Sequence, residues 1–194
     1  SARLYVGVCI GFGAFLVVWL GPQSTFSNVP LFLFLLLTSA ITSAFKVSLP
    51  LAKSGSTMSE SYAVDFAALL LLGPNETMLV AVTSAWSQCT FRMKERNPVY
   101  RTLFRMACLA ITVQAAGAAY ELLGGVPGTL GHDVPGLARP LVAAATMYFV
   151  FNTILIAIAV ALATRQSLTA VWNQNFLWSA PSYFVGDGAA TIAT

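Results

Sequence analysis

Long apolar runs alternate along this chain with short breaks of Gly, Pro and polar residues, the pattern of helices that cross a bilayer in succession. The first run extends from about Leu4 to Leu20 and stops at Gly21-Pro22. The second extends from about Pro30 to Phe45, ahead of the polar stretch Lys46 to Ser56. A third, Thr57 to Leu72, has about 16 residues, fewer than the roughly 20 that cross a hydrocarbon core, and Asp65 interrupts it. The turn Gly73-Pro74-Asn75 predicts a tight antiparallel hairpin into the fourth run, about Glu76 to Phe91. The fifth runs from about Val99 to Leu123, and a Gly/Pro-rich loop leads to the sixth, about Pro140 to Ala163. The last, about Leu168 to Thr194, is aromatic and polar in its first half and contains Pro181, Gly186, Asp187 and Gly188. These elements predict an all-α membrane bundle of six to seven spanning segments, the third short or broken, in one domain over 1–194.

Composition agrees. Of 194 residues, 57% are apolar and only 9% charged, against about a quarter charged in soluble domains. The positions of the charges say more than the net +3. Nine of the ten Lys and Arg fall on one side of the predicted spans: Arg3, Lys46, Lys53, Arg92, Lys94, Arg96, Arg101, Arg105 and Arg165. Only Arg139 falls on the other. That asymmetry predicts a cytoplasmic N-terminus. The cluster from Arg92 to Arg105 abuts apolar helices with no basic domain behind it, which argues against nucleic acid. It serves as the topology signal and a headgroup contact, or as a surface for a partner domain. Seven segments would leave Thr194 outside, and the chain ends without a charged flank. The sequence therefore reads as a piece, or the ordered part, of a longer protein, with an output domain or partner chain beyond Thr194.

Candidate chemistry is sparse. Cys9, Cys89 and Cys108 lie in or at the ends of apolar runs with no paired spacing, and read as buried thiols. His132 with Asp133 is too little for a metal site. No Ser/His/Asp set, paired carboxylates, HExxH or dinucleotide fingerprint occurs, so neither enzyme activity nor a cofactor is expected. Lys53-Ser-Gly-Ser-Thr57 lacks the order of a phosphate loop. Thr57-Met-Ser-Glu60 fits a capping box, which gives Glu60 a structural role beside its candidacy for a pocket. Asp65 lies between Val64 and Phe66, where a carboxylate needs a partner or water. Arg101 and Arg105, one helical turn apart, are its candidate ion-pair partners, and Gln88 and Gln114 are candidates for the same network. A structural ion pair and a ligand site both remain open there. In the last segment, Trp172, Trp178, Tyr183 and the amides Asn173 to Asn175 suit either an interfacial belt or a ligand pocket. Asn152 reads as an interhelical hydrogen-bonding group.

The stretches Phe45-Lys-Val-Ser-Leu-Pro50, Gly55-Ser-Thr-Met-Ser59, Leu70-Leu-Leu-Gly-Pro74 and Tyr100-Arg-Thr-Leu-Phe104 add a likeness. There the chain resembles the N-terminal membrane module of bacterial signalling proteins with cytoplasmic HD-GYP or GGDEF domains, the makers and breakers of cyclic-di-GMP. The similarity extends to Trp172–Val185. It implies a multi-pass sensory or anchoring module in the bacterial inner membrane, feeding an output domain. Neither HD-GYP nor GGDEF motifs occur in these residues. The Ser-Thr-Met-Ser loop and the run ending in Gly-Pro also resemble substrate-binding subunits of energy-coupling-factor vitamin transporters. In that family the loop matching Lys46–Ser56 is extracellular, whereas the charges here place it inside.

The reading that follows is a membrane-embedded sensory module that binds a small ligand or responds to the state of the bilayer. Its expected ligand-binding residues are Glu60, Asp65, Gln88, Trp178 and Tyr183. The alternatives are a vitamin-type transporter subunit and a non-catalytic accessory subunit of a larger membrane complex.

Overall fold

The computed structural model of the chain describes residues 2–26, 28–44, 61–90, 98–128 and 134–175. They form seven α-helices and no strand: α1 (Ala2–Leu20), α2 (Val29–Ala44), α3 (Ser61–Leu72), α4 (Pro74–Thr90), α5 (Val99–Leu122), α6 (Val134–Thr164) and α7 (Leu168–Asn175). A short 3₁₀ turn, Gly21–Gln23, follows α1. The expected all-helical bundle is present. Three of the helices, α1, α5 and α6, are long and apolar enough to cross a membrane.

The third predicted segment is described from Ser61 onward, its first four residues lying outside the described residues. Helix α3 has 12 residues, about 18 Å at 1.5 Å per residue. Gly73 alone turns it into α4. Its φ of +94° is open to glycine without strain. Its amide bonds the Leu69 carbonyl at 3.1 Å, ending α3, and its carbonyl takes the Thr77 amide at 3.2 Å, starting α4. Pro74 occupies the first position of α4, where a missing N–H costs nothing.

Helix α6 begins earlier than the sequence suggests. It starts at Val134 and carries Pro140 within it. Pro135 sits in the first turn, where proline is tolerated, and Pro140 gives up only the bond to the carbonyl four residues back. Helix α6 therefore has 31 residues, about 46 Å, more than the roughly 30 Å of a hydrocarbon core.

Helices α4 and α5 lie at the centre. Helix α4 packs on α2, α3 and α5, and α5 packs on α1, α4 and α6. Helix α1 reaches α5 closely at Gly13, where an added Cβ would lie 2.5 Å from the Ala107 Cβ. Small residues allow such approaches between helices that share no hydrophobic driving force in lipid.

Polarity is distributed inside out. Leu4, Val8, Phe12, Phe15 and Trp19 form an exposed stripe on α1, and Val29, Leu33, Leu37 and Ile41 form one on α2. The buried residues include Ser39, Asp65, Glu76, Thr77, Ser84, Ser87 and Gln88. In water that arrangement would expose apolar surface and desolvate polar groups for no return; in a bilayer both choices are favourable. The protein resides in the membrane.

Candidate functional site

Four helices meet on one carboxyl group. Asp65 lies in the second turn of α3 and is 0% exposed. The Ser39 hydroxyl of α2 donates to its Oδ1 at 2.7 Å. The Ser84 hydroxyl of α4 lies 3.4 Å from Oδ2 and shares its proton with the Ala81 carbonyl, at 2.9 Å. The Tyr148 side chain of α6 lies beside the same carboxyl group and interacts with it electrostatically. Helices α2 and α4 each turn one of their several buried polar residues, Ser39 and Ser84, toward this carboxyl group.

The polar positions continue along α4. Ser87 donates to the Ala40 carbonyl of α2 at 2.7 Å. Gln88, one turn beyond Ser84 and buried, accepts from Arg105 Nη1 at 2.6 Å. Asp65 and Gln88 thus lie along one buried polar seam, Asp65 against Ser84 of α4 and Gln88 one turn farther along that helix. The arginines are not the partners of Asp65: Arg105 serves Gln88, and Arg101 is exposed with its Nε 3.3 Å from the Tyr100 hydroxyl. The expected ion pair is corrected to a set of hydroxyls. These satisfy a carboxyl without bringing a second charge into the apolar interior, which spares a large desolvation cost.

A second carboxyl group holds the opposite end of the bundle. Glu76, in the first turn of α4, accepts at Oε1 from the amides of Thr25 and Phe26 at 2.9 and 3.3 Å, and lies 3.4 Å from the Thr25 hydroxyl. Phe26 holds the positive φ, 42°, that aims its amide there. The site suits an acid, since the partial positive charge of a helix N-terminus favours one.

The sequence model of the MASE9 family matches residues 15–187. The chain belongs to the MASE9 family. It is a family of membrane-associated sensor domains, and the match spans Asp65, Glu76, Gln88 and Arg105. No curated protein and no solved structure matches the chain.

Of the five expected pocket residues of this MASE9 domain, Asp65 and Gln88 lie in the seam, whereas Glu60, Trp178 and Tyr183 lie outside the described residues. Gln114 joins a different contact: its amide nitrogen is 3.2 Å from the Pro74 carbonyl and 3.3 Å from Asn75 Oδ1. Trp172 is tied to α6, donating to Thr153 Oγ1 at 3.1 Å with its ring 6.3 Å from that of Phe149. Among the described residues no three His, Cys, Asp or Glu side chains group as a metal site. Sequence reading missed Ser39, Ser84, Tyr148 and Glu76. Only Glu76 carries a local signal, an acid one turn into a helix that opens on proline.

Proposed function

We propose that this MASE9 domain is the membrane-embedded sensory module of a bacterial signalling protein, and that its output is a cytoplasmic domain of the cyclic-di-GMP class. The observation that carries the reading is the family match over 15–187, which contains a buried carboxyl group that ties α3 to α2 and α4 and lies beside Tyr148 of α6. A stimulus acts on such a module by binding one packing arrangement better than another. A small ligand that offers hydrogen bonds to Asp65, Ser39 or Ser84 competes for the groups that hold α2, α3 and α4 together. A change in the bilayer biases the same packing from outside.

The module contributes no catalysis of its own in this reading, and resides in the inner membrane with its N-terminus in the cytoplasm. The one-sided placement of the cations supports that orientation. It turns the starts of α1 and α5 and the end of α6 toward an output domain.

Native mass spectrometry of gently extracted protein tests the reading. A co-purifying small molecule, lost on Asp65→Ala while the fold is retained, supports a ligand sensor. Stable partner subunits with no small molecule would instead make the chain a structural component.

A further inference from the structure

The end of α5 and the start of α6 leave a groove of about 450 Å³, lined by Leu123, Ala138, Arg139, Val142 and Ala143. Four of these five side chains are apolar. Leu123 and Val142 are exposed, as are Leu122 and Val126 beside them. In a membrane protein an exposed apolar groove faces acyl chains. Arg139 is the exception on this surface. It is exposed and makes no hydrogen bond or ion pair among the described residues, Glu121 at the end of α5 included.

A guanidinium on a long stem reaches from an apolar helix face toward the headgroup layer. There its planar donors match the oxygens of a phosphate. Free phosphate would gain nothing from Leu, Val and Ala, and a neutral apolar molecule would leave the guanidinium without a partner. Zwitterionic lipids bring a cation of their own, which offsets the attraction. We propose that this groove is a binding site for one anionic phospholipid, with an acyl chain along Leu123, Ala138 and Val142 and its phosphate on Arg139. The chemistry is independent of the sensory reading and holds in either leaflet.

The test uses the protein in vesicles of equal parts phosphatidylglycerol and phosphatidylcholine. Each vesicle preparation is doped with a photo-crosslinking analogue of one lipid or the other, and crosslinks are mapped by peptide mass spectrometry over residues 122–146. The phosphatidylglycerol probe should label this stretch several-fold more than the phosphatidylcholine probe. Arg139→Gln should reduce that labelling about fivefold, the effect of one cation near an anionic surface, and Arg139→Lys should largely restore it. Ala138→Trp, which fills the groove, should reduce labelling by both probes. Arg3→Gln, on a different helix, should leave labelling unchanged. Equal labelling by the two probes, or labelling that survives Arg139→Gln or Ala138→Trp, overturns the proposal.

Discussion

Ser39 of α2 and Asp65 of α3 share a 2.7 Å hydrogen bond at a depth where neither touches solvent. Interhelical hydrogen bonds in membrane proteins average about 0.6 kcal/mol and reach about 1.7. Asp65→Ala removes the acceptor for hydroxyls on two neighbouring helices, leaves both buried, and should cost about 2–3 kcal/mol. Asp65→Asn keeps one carbonyl oxygen for Ser39 and should cost about 1 kcal/mol. Thermal unfolding of the detergent-solubilised protein measures both. A Ser39→Ala/Asp65→Ala double-mutant cycle should give a coupling of about 1 kcal/mol, and a coupling of zero would remove Ser39 from the junction.

Glu76 offers a local readout. With Glu76→Ala, the Thr25 and Phe26 amides lose their acceptor, and hydrogen exchange at these two positions should accelerate about tenfold or more. Helix α6, far along the chain from this contact, should exchange at its original rate. Uniform acceleration throughout the protein would mean that Glu76 supports the whole fold rather than one loop.

Glycines of one helix should respond in opposite directions. An added Cβ at Gly13 meets Ala107 at 2.5 Å, whereas one at Gly7 or Gly11 meets nothing within 4 Å. Gly13→Ala should therefore destabilise by about 1–3 kcal/mol through overpacking. Gly7→Ala should stabilise by up to about 1 kcal/mol through helix propensity. Thermal midpoints of the two variants, measured side by side, decide the matter. Equal shifts would mean that α1 does not press on α5 at Gly13.

Orientation has a direct test. Alkaline phosphatase fused after Gln23 should be active, because the proposed topology puts the α1–α2 connection outside the cytoplasm. The same enzyme fused after Gln166 should be inactive. The reverse result would invert the module and remove the argument for a cytoplasmic output.

The hairpin of α3 and α4 was legible because Gly73-Pro74 has one economical use: a left-handed residue that ends one helix and a proline that opens the next. The need for partners at Asp65 was legible as well, since hydropathy marks an acid in an apolar run. Its actual partners were not. Serine has no charge signature, and which serine turns toward Asp65 depends on the rotation of α2 and α4 about their axes, which only tertiary packing fixes. Arg101 and Arg105 looked eligible by sequence spacing, yet Arg105 meets Gln88 one turn along α4 from Ser84. The start of α6 was missed for a related reason. Two prolines and two glycines near it read as a break, although a first-turn proline and a single forfeited hydrogen bond are affordable within 31 residues.

The Glu76 clamp also bears on how the bundle can change shape. One carboxylate oxygen ties the α1–α2 connection to the start of α4, so these three helix ends cannot spread apart without stripping two amides of their acceptor. Rocking of α1, α2 and α4 against one another then has its fulcrum at Glu76, and displacement grows with distance along the helices. The largest excursions fall at the opposite ends, beside Arg3 and Thr90. In the proposed sensory reading, a small rearrangement at Asp65, where α3 touches α2 and α4, is then enlarged toward the helix ends near Arg3 and Thr90.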